Sequence, residues 1–475
     1  MSSYPPQSLG SRFTTVLDTF AHSPGLPFEQ ALSEAAIQQA AADYHLHFAR
    51  GCNDIYTPVI TLWAFLAQVL SAGKSCVAAV ARVMVLRIAL ELPPCSAHTG
   101  GYCKARAKLP EGFLRHLTYQ IGEAIEDQAP DGWRWRGRRV LLADGCVVTA
   151  ADTPANQKAY PQPRSQARGV GFPMLRLVVL LTFATAGLVG AALGPYEGKE
   201  RGETALFRQL LDRLRPGDVV VADRYYCSYW MVALLSERGV AVVFRLHQRR
   251  DYDFRRGRRL GPGDHVVVWR KPQRPAWLDR QTYARLPEQL TVREVRFRVT
   301  VPGYRPKAIV AATTLCDAAQ YRKEEIADLY HQRWHVELDI RAIKQSLKMD
   351  QLVCKTPAMV RRELWVHLLG YNLVRKVLAE AAAVRGWSPR QVSFAGGLQL
   401  LEAFRWLLVC SPAAVRDTVC QALLRAIGSH EVGERPGRYE PRRVKRRPKE
   451  YRRLTQARPA ARAAARRTRG EVDRR

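Results

Sequence analysis

The chain has 475 residues, of which 47% are hydrophobic, and its formal net charge is +31 at pH 7. This length is enough for about two to four domains, each with its own core. So large an excess of positive charge is unusual for a soluble metabolic enzyme and indicates a polyanionic partner, because cations that neutralise phosphates release condensed counterions.

The ten cysteines form no C-x2-C or C-x4-C pair, which argues against a zinc ribbon and against a redox motif. Several of them lie in apolar runs, so we expect reduced thiols in the core of a cytoplasmic protein. The N-terminal stretch "MSSYPPQSLG" has neither the basic nor the apolar region of a signal peptide.

Residues 1–128 have apolar side chains at helical spacing, and we expect a helical region that binds DNA. After it the period changes to that of strands. Five strand-like runs follow, with the amphipathic stretch "ETALFRQLLDRL" between the third and the fourth: "RVLLADGCVVTAAD", "MLRLVVLLTFA", "GLVGAALGPY", "GDVVVADR" and "GVAVVFRL". This order predicts an α/β fold over residues 129–349, and it is the order found in RNase H-like folds.

One apolar run, residues 177–194, is just long enough to be considered as a membrane span. It carries Thr182, Thr185 and Gly187 near its middle and divides there into two runs of strand length. We therefore predict a buried β-hairpin and no membrane partner.

The remaining segments differ in composition. Residues 247–320 alternate valine with arginine, which predicts a β-rich insertion whose strands have one solvated cationic face. Residues 350–432 return to helical spacing, and we assign them to dimerisation or DNA contact. The tail, residues 433–475, holds seventeen Lys or Arg against five acidic residues, so we expect it to be disordered and to bind polyanions.

Residues 327–350, "ADLYHQRWHVELDIRAIKQSLKMD", are typical of one helix. At about 100° per residue, Tyr330, Arg333, Glu337 and Lys344 fall in one narrow arc that lies beside the apolar stripe rather than opposite it. This row is therefore predicted at the rim of the core. A simpler interpretation is one i,i+4 pair, Arg333 with Glu337, that stabilises the helix.

Two aspartates in the strand-like runs are candidates for chemistry. Asp144 in "VLLADGCVV" is either the turn of a hairpin or a carboxylate in a strand that needs a cation. Asp223 follows "DVVVA" and is either a helix N-cap or a ligand at the carboxyl end of a strand. Together with Glu337 they would repel one another unless divalent ions neutralise them, and a pair of Mg²⁺ ions suits such oxygen ligands in phosphoryl transfer.

The segment "LYHQRWHVELDIRAIK" matches the pattern Y-x2-R-x3-E-x6-K, and it resembles the signature of DDE transposases of the insertion-sequence-four type. "LLADGC" and "PGDVVVADRYY" are similar to the two aspartate strands of that family. "GYCKARAKLP" resembles a segment before its catalytic domain, and "RPGRYEPRRVKRRPKEY" resembles its basic C-terminal stretch. Cys146 departs from the usual Ser or Thr. The resemblance covers most of residues 100–455.

This resemblance implies an RNase H-like catalytic domain that is interrupted by the β-rich insertion and flanked by helical regions. It implies that Asp144, Asp223 and Glu337 hold two Mg²⁺ ions, for which Mn²⁺ can substitute.

The same resemblance implies which residues meet DNA. Tyr330, Arg333 and Lys344 would position the transposon end, with Arg224 in support. Trp269 and Trp277 in the insertion are candidates for stacking a flipped base, although each also fits an ordinary structural role.

By resemblance, we also expect a bacterial, nucleoid-associated enzyme that nicks the 3′ strands, excises its element and joins it to target DNA. It would act as a homodimer on the double-stranded terminal inverted repeats. A metal nuclease of the same fold that cuts without joining and a catalytically inactive DNA-binding repressor remain as alternatives.

Overall fold

A nine-stranded mixed sheet lies at the centre of the described chain, which comprises residues 32–48, 55–71, 73–89, 92–299, 307–432 and 453–472 of a computed structural model. In chain order these strands are β1 (Val140–Thr149), β2 (Met174–Thr182), β3 (Leu188–Pro195), β4 (Val219–Ala222), β5 (Ala241–Arg245), β6 (Arg258–Gly261), β7 (Asp264–Arg270), β8 (Gln289–Val299) and β9 (Lys307–Thr313).

The strands lie side by side in the order β3-β2-β1-β4-β5-β9-β8-β7-β6. β2 is antiparallel to both of its neighbours, whereas β1, β4 and β5 are parallel to one another. β9 pairs antiparallel with β5 and joins the last four strands to the first five. The prediction of an α/β fold is therefore confirmed.

Helices pack on the sheet and around it. Those of the described residues are α1 (Glu34–Asp43), α2 (Pro58–Leu70), α3 (Cys76–Ala89), α4 (Gly100–Lys108), α5 (Glu111–Asp127), α6 (Pro154–Ala159), α7 (Glu203–Arg208), α8 (Tyr229–Glu237), α9 (Arg280–Arg285), α10 (Lys323–His331), α11 (Trp334–Arg341), α12 (Pro357–Arg385), α13 (Phe394–Cys410), α14 (Ala413–Gly428) and α15 (Arg458–Val472).

One buried amide locks α5 and α12 onto the sheet. Asn372 of α12 accepts a hydrogen bond from the Leu188 backbone N–H and donates to the carbonyls of Leu188 and Thr118. α5 can approach β3 this closely because Gly122 has no side chain, and a Cβ there would lie 2.1 Å from the Leu188 carbonyl oxygen. The apolar core continues from these helices to α11, so the helical and sheet regions share one interior.

The apolar run 177–194 forms strands β2 and β3 and the turn between them, so the predicted hairpin is confirmed and the membrane span is wrong. The polar residues of the run close that turn. The hydroxyl oxygens of Thr182 and Thr185 are 2.6 Å apart, and the Gly187 N–H donates to both. Within the described ranges, no helix combines the length and the apolar character that crossing a bilayer requires.

The arginines of β8 do not all lie on a solvated face. Arg296 and Arg298 are exposed as predicted, but Arg293 is fully buried. Its guanidinium binds both carboxylate oxygens of Asp264, at 2.8 and 2.6 Å, and donates to the Tyr321 carbonyl. Alternation of valine and arginine could not reveal this, because a buried ion pair depends on a partner from another strand.

The stretch predicted as one helix, residues 327–350, is two helices followed by a π-helical turn, Ala342–Ser346. Between α10 and α11 the N–H groups of Arg333 and Val336 bond three residues back, which tightens the backbone. In the π-helical turn the Leu347 N–H instead bonds five residues back, to Ala342. A uniform rotation of about 100° per residue therefore does not hold along this stretch.

Part of the tail departs from the predicted disorder, since residues 458–472 form α15. Alanine and arginine are both strong helix formers, and they dominate this segment. Residues 433–452 and 473–475 lie outside the described residues.

Candidate active site

Asp144 and Asp223 lie on neighbouring strands. Asp144 is in the middle of β1 and pairs with Val179, so the strand interpretation is confirmed and the hairpin turn is wrong. β1 and β4 are parallel, with Leu142 opposite Val221. Continuing this register by two residues brings Asp223 beside Asp144, and adjacent strands are about 4.8 Å apart.

Asp223 does not cap the following helix. Its carboxylate accepts a hydrogen bond from the Tyr225 N–H at 2.8 Å, which forms a local turn directly after β4. The N-cap of α8 is Ser228, whose hydroxyl accepts from the Met231 N–H. Asp223 is thus placed at the carboxyl end of a parallel strand, where ligands of α/β sheets gather.

Arg333 connects Asp144 with Glu337. Its Nη1 atom is 3.4 Å from Asp144 Oδ2, and its Nη2 atom is 2.7 Å from Glu337 Oε1. The i,i+4 pair of the simpler interpretation therefore exists, but the same guanidinium also reaches the central strand. Asp144 and Arg333 are each only 18% exposed at the side chain, so their attraction is less screened than that of a surface pair.

Asp339 fixes the helix that carries Glu337. It is buried, and its carboxylate oxygens bind Arg375 of α12 at 2.5 Å and Arg390 at 2.9 Å. Val336 is buried in the core on the same helix. These contacts hold α11 against the rest of the protein. The sequence gives no sign of this role, because the two arginine partners of Asp339 lie 36 and 51 residues further along the chain.

The surroundings of Asp144 disfavour its ionised form. Burial raises the pKa of Asp144 to about 6, and the charges of Asp223 and Glu203 add to that effect. The Gly145 N–H and Arg333 act in the opposite direction, yet they do not compensate it. A further cation at this position would stabilise the ionised carboxylate.

Tyr330 and Lys344 both lie near the aspartate strands. Tyr330 is buried, its ring packs on Phe297 with centroids 5.9 Å apart, and its pKa is raised by burial and by the charge of Asp223. Lys344 is half-buried in the π-helical turn, and its charge acts on the thiol of Cys146, two residues after Asp144. Both side chains of the predicted row are thus next to the aspartate strands.

The other predicted DNA contacts differ in accessibility. Arg224 is half-buried and donates to Gln248 Oε1 at 2.7 Å. Trp269 is 3% exposed, donates to the buried Glu294 carboxylate at 3.1 Å and has Arg250 over its ring at 3.8 Å. This placement favours the structural role for Trp269.

Trp277 is partly buried in the same insertion. The guanidinium of Arg208, from α7, lies over its ring at 3.9 Å. A base could stack on this face only if Arg208 moved away, so the placement again favours a structural role.

Glu203 is an acidic residue near the site that no sequence motif indicates. It is the first residue of α7. Burial is the main cause of its raised pKa, and the charge of Asp223 raises the pKa further. A glutamate in the first turn of a helix is so common that its sequence position carries no signal. In the sequence, Gly145 is the one feature that could have indicated a neighbouring side chain here, because a glycine leaves space beside the strand.

The donor set suits a hard divalent cation, since three carboxylates supply oxygen ligands around an under-neutralised Asp144. As placed in the described residues, however, no three His, Cys, Asp or Glu side chains are grouped closely enough to hold a metal ion. Arg333 supplies the positive charge between Asp144 and Glu337 in this arrangement. Metal binding would require these side chains to release the guanidinium and converge.

Comparison with known proteins relates this chain to transposases. A family model described as "Transposase DDE domain" matches residues 135–373, which contain all three carboxylates. The transposase InsG for insertion sequence element IS4 of Escherichia coli (strain K12) is 28% identical over 357 residues, which cover 73% of this chain and 76% of that protein. The putative transposase InsZ of the same organism is 24% identical over 106 residues, 22% of this chain and 34% of that protein.

Proposed function

The chain belongs to the transposase DDE domain family, and from this premise we propose that it catalyses cut-and-paste transposition of an insertion sequence. The resemblance to transposases of the insertion-sequence-four type is confirmed by the same two matches. In the proposed reaction the enzyme nicks the 3′ strands at the element's ends, excises the element and joins it to target DNA.

One observation carries the proposal. Asp144 on β1 and Glu337 on α11 bind the same guanidinium, although 189 residues separate Arg333 from Asp144. Asp223 follows the strand next to β1. An ion pair that only stabilises the helix would not need Asp144 as a second carboxylate beside Glu337. A site for phosphoryl transfer, in contrast, needs acidic groups from several elements in one place.

The order of the first five strands supports an RNase H-like catalytic domain over residues 129–349. Their order in the sheet is β3, β2, β1, β4 and β5. Within this group, β2 is antiparallel to the other four strands. The strands β6 to β9 extend this unit at the β5 edge, where the sequence predicts an insertion at about 247–320.

We assign Asp144, Asp223 and Glu337 to holding Mg²⁺, or Mn²⁺ in its place. When bound, the ions would activate the attacking oxygen and stabilise the leaving oxygen of a phosphodiester. Arg333 and Lys344 would bind the phosphates of the transposon end, and Arg224 would support them. The Tyr330 hydroxyl would hydrogen-bond the same strand, and burial of its ring fixes its direction.

The partners follow from charge and from the reaction. A net charge of +31 suits a protein that holds double-stranded DNA, both the terminal inverted repeats and the target. We propose that residues 1–128 and the tail contact DNA, and that residues 350–432 contribute to a homodimer in which two element ends are paired. Nucleoid association would follow from the same affinity for DNA.

A plasmid assay tests the proposal. The full-length protein is incubated with Mg²⁺ and a supercoiled plasmid that carries the element between its flanking DNA, and the products are separated on a gel. An excised fragment together with joined product is the expected result. Nicks without joining would identify a metal nuclease, and binding without any cleavage would identify a repressor.

A further inference from the structure

A lysine of the N-terminal helical region reaches the segment that follows the π-helical turn. Lys74 lies in the turn between α2 and α3, and its ammonium donates to the backbone carbonyls of Lys348 and Gln351, the latter at 2.9 Å. These contacts join positions that are 274 and 277 residues apart. The Lys74 side chain is buried, so the connection runs through the interior of the protein rather than over its surface.

Helices α2 and α4 hold Lys74 in place through Gln68. The Gln68 amide nitrogen donates to the Lys74 carbonyl at 2.9 Å. Its oxygen accepts from the Tyr102 hydroxyl at 2.6 Å and from Arg106 at 2.8 Å. Lys74 also has a φ of +48°, which residues other than glycine adopt uncommonly. Such a backbone persists where the surrounding structure fixes it, so the ammonium is presented by a turn with a defined conformation.

The segment that Lys74 contacts has weak bonds of its own. Lys348 has a φ of +54°, which is again left-handed. The Asp350 N–H reaches the Lys344 carbonyl only at 3.3 Å, which is long for a backbone hydrogen bond. From the other side, the backbone N–H and the hydroxyl of Thr149, at the end of β1, both donate to the Asp350 carbonyl at 3.0 Å. The path of this segment thus depends on donors from outside it.

The position of Lys344 depends in turn on this segment. Lys344 lies in the π-helical turn Ala342–Ser346, and its carbonyl is bonded to Asp350. Single π-helical turns occur frequently at functional sites, because they change the direction of the side chains that follow the regular helix. A shift of residues 348–351 would therefore move the Lys344 ammonium relative to the aspartate strands.

We propose that Lys74 is a positioning residue that holds residues 348–351 and, through them, directs Lys344 toward a phosphate of the end DNA. The inference rests on the proposed function, since it presupposes that Lys344 binds such a phosphate. Lys74 itself does not meet DNA, because it is buried and its ammonium donates to two carbonyls. The N-terminal helical region thereby takes part in arranging the active site, in addition to its own contacts with DNA.

The salt dependence of end-DNA binding by the full-length protein tests the inference, because its slope reflects the number of phosphates that cations neutralise. We expect Lys74→Met to weaken binding by about threefold or more and to make the slope shallower by about one, as for Lys344→Ala. A buried cation that does not meet DNA can have this effect only through another cation. The double variant should bind like Lys344→Ala alone, because two changes that act through one contact are not additive.

Arg362→Met is the matched control. Arg362 of α12 also donates to a backbone carbonyl of the N-terminal helical region, that of Leu109 at 2.6 Å, and its replacement removes the same charge. In the described chain its guanidinium bonds Leu109 and the sulfur of Met359 rather than residues 348–351. The salt slope of this variant should therefore equal that of the wild type.

The outcomes separate this inference from the proposed function. A wild-type slope for Lys344→Ala would remove Lys344 from the phosphate contacts and overturn both claims. A shallower slope for Lys344→Ala combined with a wild-type slope for Lys74→Met, or additive losses in the double variant, would overturn this inference alone. Should Lys74→Met fail to fold, Lys74→Gln, which is shorter and uncharged but still polar, decides by the same comparison; additive losses there contradict the proposal.

Discussion

Arg333 Nη1 lies 3.4 Å from Asp144 Oδ2, which ties the helical signature to the central strand across 189 positions of sequence. The same guanidinium also binds Glu337. In the absence of a metal, folding thus places one cation between two carboxylates that would otherwise repel each other. Arg333 thus keeps Asp144 and Glu337 close to one another, and a divalent ion would have to replace it.

Replacement of Arg333 should therefore have an effect that depends on metal. We expect Arg333→Ala to lower the free energy of unfolding by about 1–2 kcal/mol without Mg²⁺, because a charged hydrogen bond is lost and Asp144 faces Glu337 unscreened. With saturating Mg²⁺ the deficit should shrink. Urea unfolding with and without Mg²⁺ measures it, and an equal deficit in both conditions would contradict the account.

Lys344 should contribute one phosphate contact. For Lys344→Ala we expect weaker binding of the end DNA and a slope of log affinity against log salt that is shallower by about one. Arg238→Ala is the control, because Arg238 lies between α8 and the start of β5, at the amino ends of the parallel strands, whereas Asp223 lies at the carboxyl end of β4. The measurement is fluorescence anisotropy over a salt series. An unchanged slope for Lys344→Ala would exclude it as a phosphate ligand.

Trp269 should matter for stability rather than for DNA. Trp269→Phe removes the hydrogen bond to Glu294 and leaves a buried carboxylate oxygen unpaired, so we expect a loss of about 1–3 kcal/mol in the free energy of unfolding. The affinity for end DNA should remain within about twofold. A normal stability combined with a large loss of DNA affinity would instead restore Trp269 as a base-stacking residue.

His367 should make stability depend on pH. It is fully buried in α12, neither ring nitrogen has a hydrogen-bond partner among the described residues, and burial lowers its pKa well below 6.5. The unfolded chain takes up a proton below about pH 6.5, whereas the folded protein does not. The stability linked to the neutral ring is therefore present above pH 6.5 and is lost as the pH falls.

We expect His367→Leu to flatten this dependence by up to about 1.4 kcal/mol per pH unit between pH 6.5 and the folded-state pKa. Urea unfolding at pH 7.5, 6 and 5 (roughly spanning the ordinary histidine pKa) gives the comparison. His98→Gln, at an exposed position, should leave the slope unchanged. Parallel pH profiles for the wild type and His367→Leu would show that the ring does not titrate on unfolding.

Patterns within single elements allowed much of the fold to be predicted. Strand periodicity was sufficient for the hairpin of residues 177–194 and for Asp144 in a strand, because both depend on local alternation and burial. The family signature located Arg333 and Glu337, which indeed share an ion pair.

Local patterns could not predict contacts between segments that are far apart in the sequence. The break between α10 and α11 changes the angular positions of the side chains that follow it, and no residue type in that stretch predicts the break. Arg293 is buried beside Asp264 of the neighbouring strand β7, whose carboxylate binds its guanidinium. Glu203 comes near Asp144 through the space at Gly145, which becomes visible only when α7 is packed on the sheet.

The most direct test of the central claim is strand cleavage by Glu337→Gln. This change keeps the size of the side chain and removes its charge. In a Mg²⁺-dependent assay on DNA that carries the element's end, we predict no cleavage by Glu337→Gln while binding of the same DNA persists, and normal cleavage by the exposed control Glu324→Gln. Cleavage by Glu337→Gln at the wild-type rate would remove Glu337 from the acidic site and contradict the account.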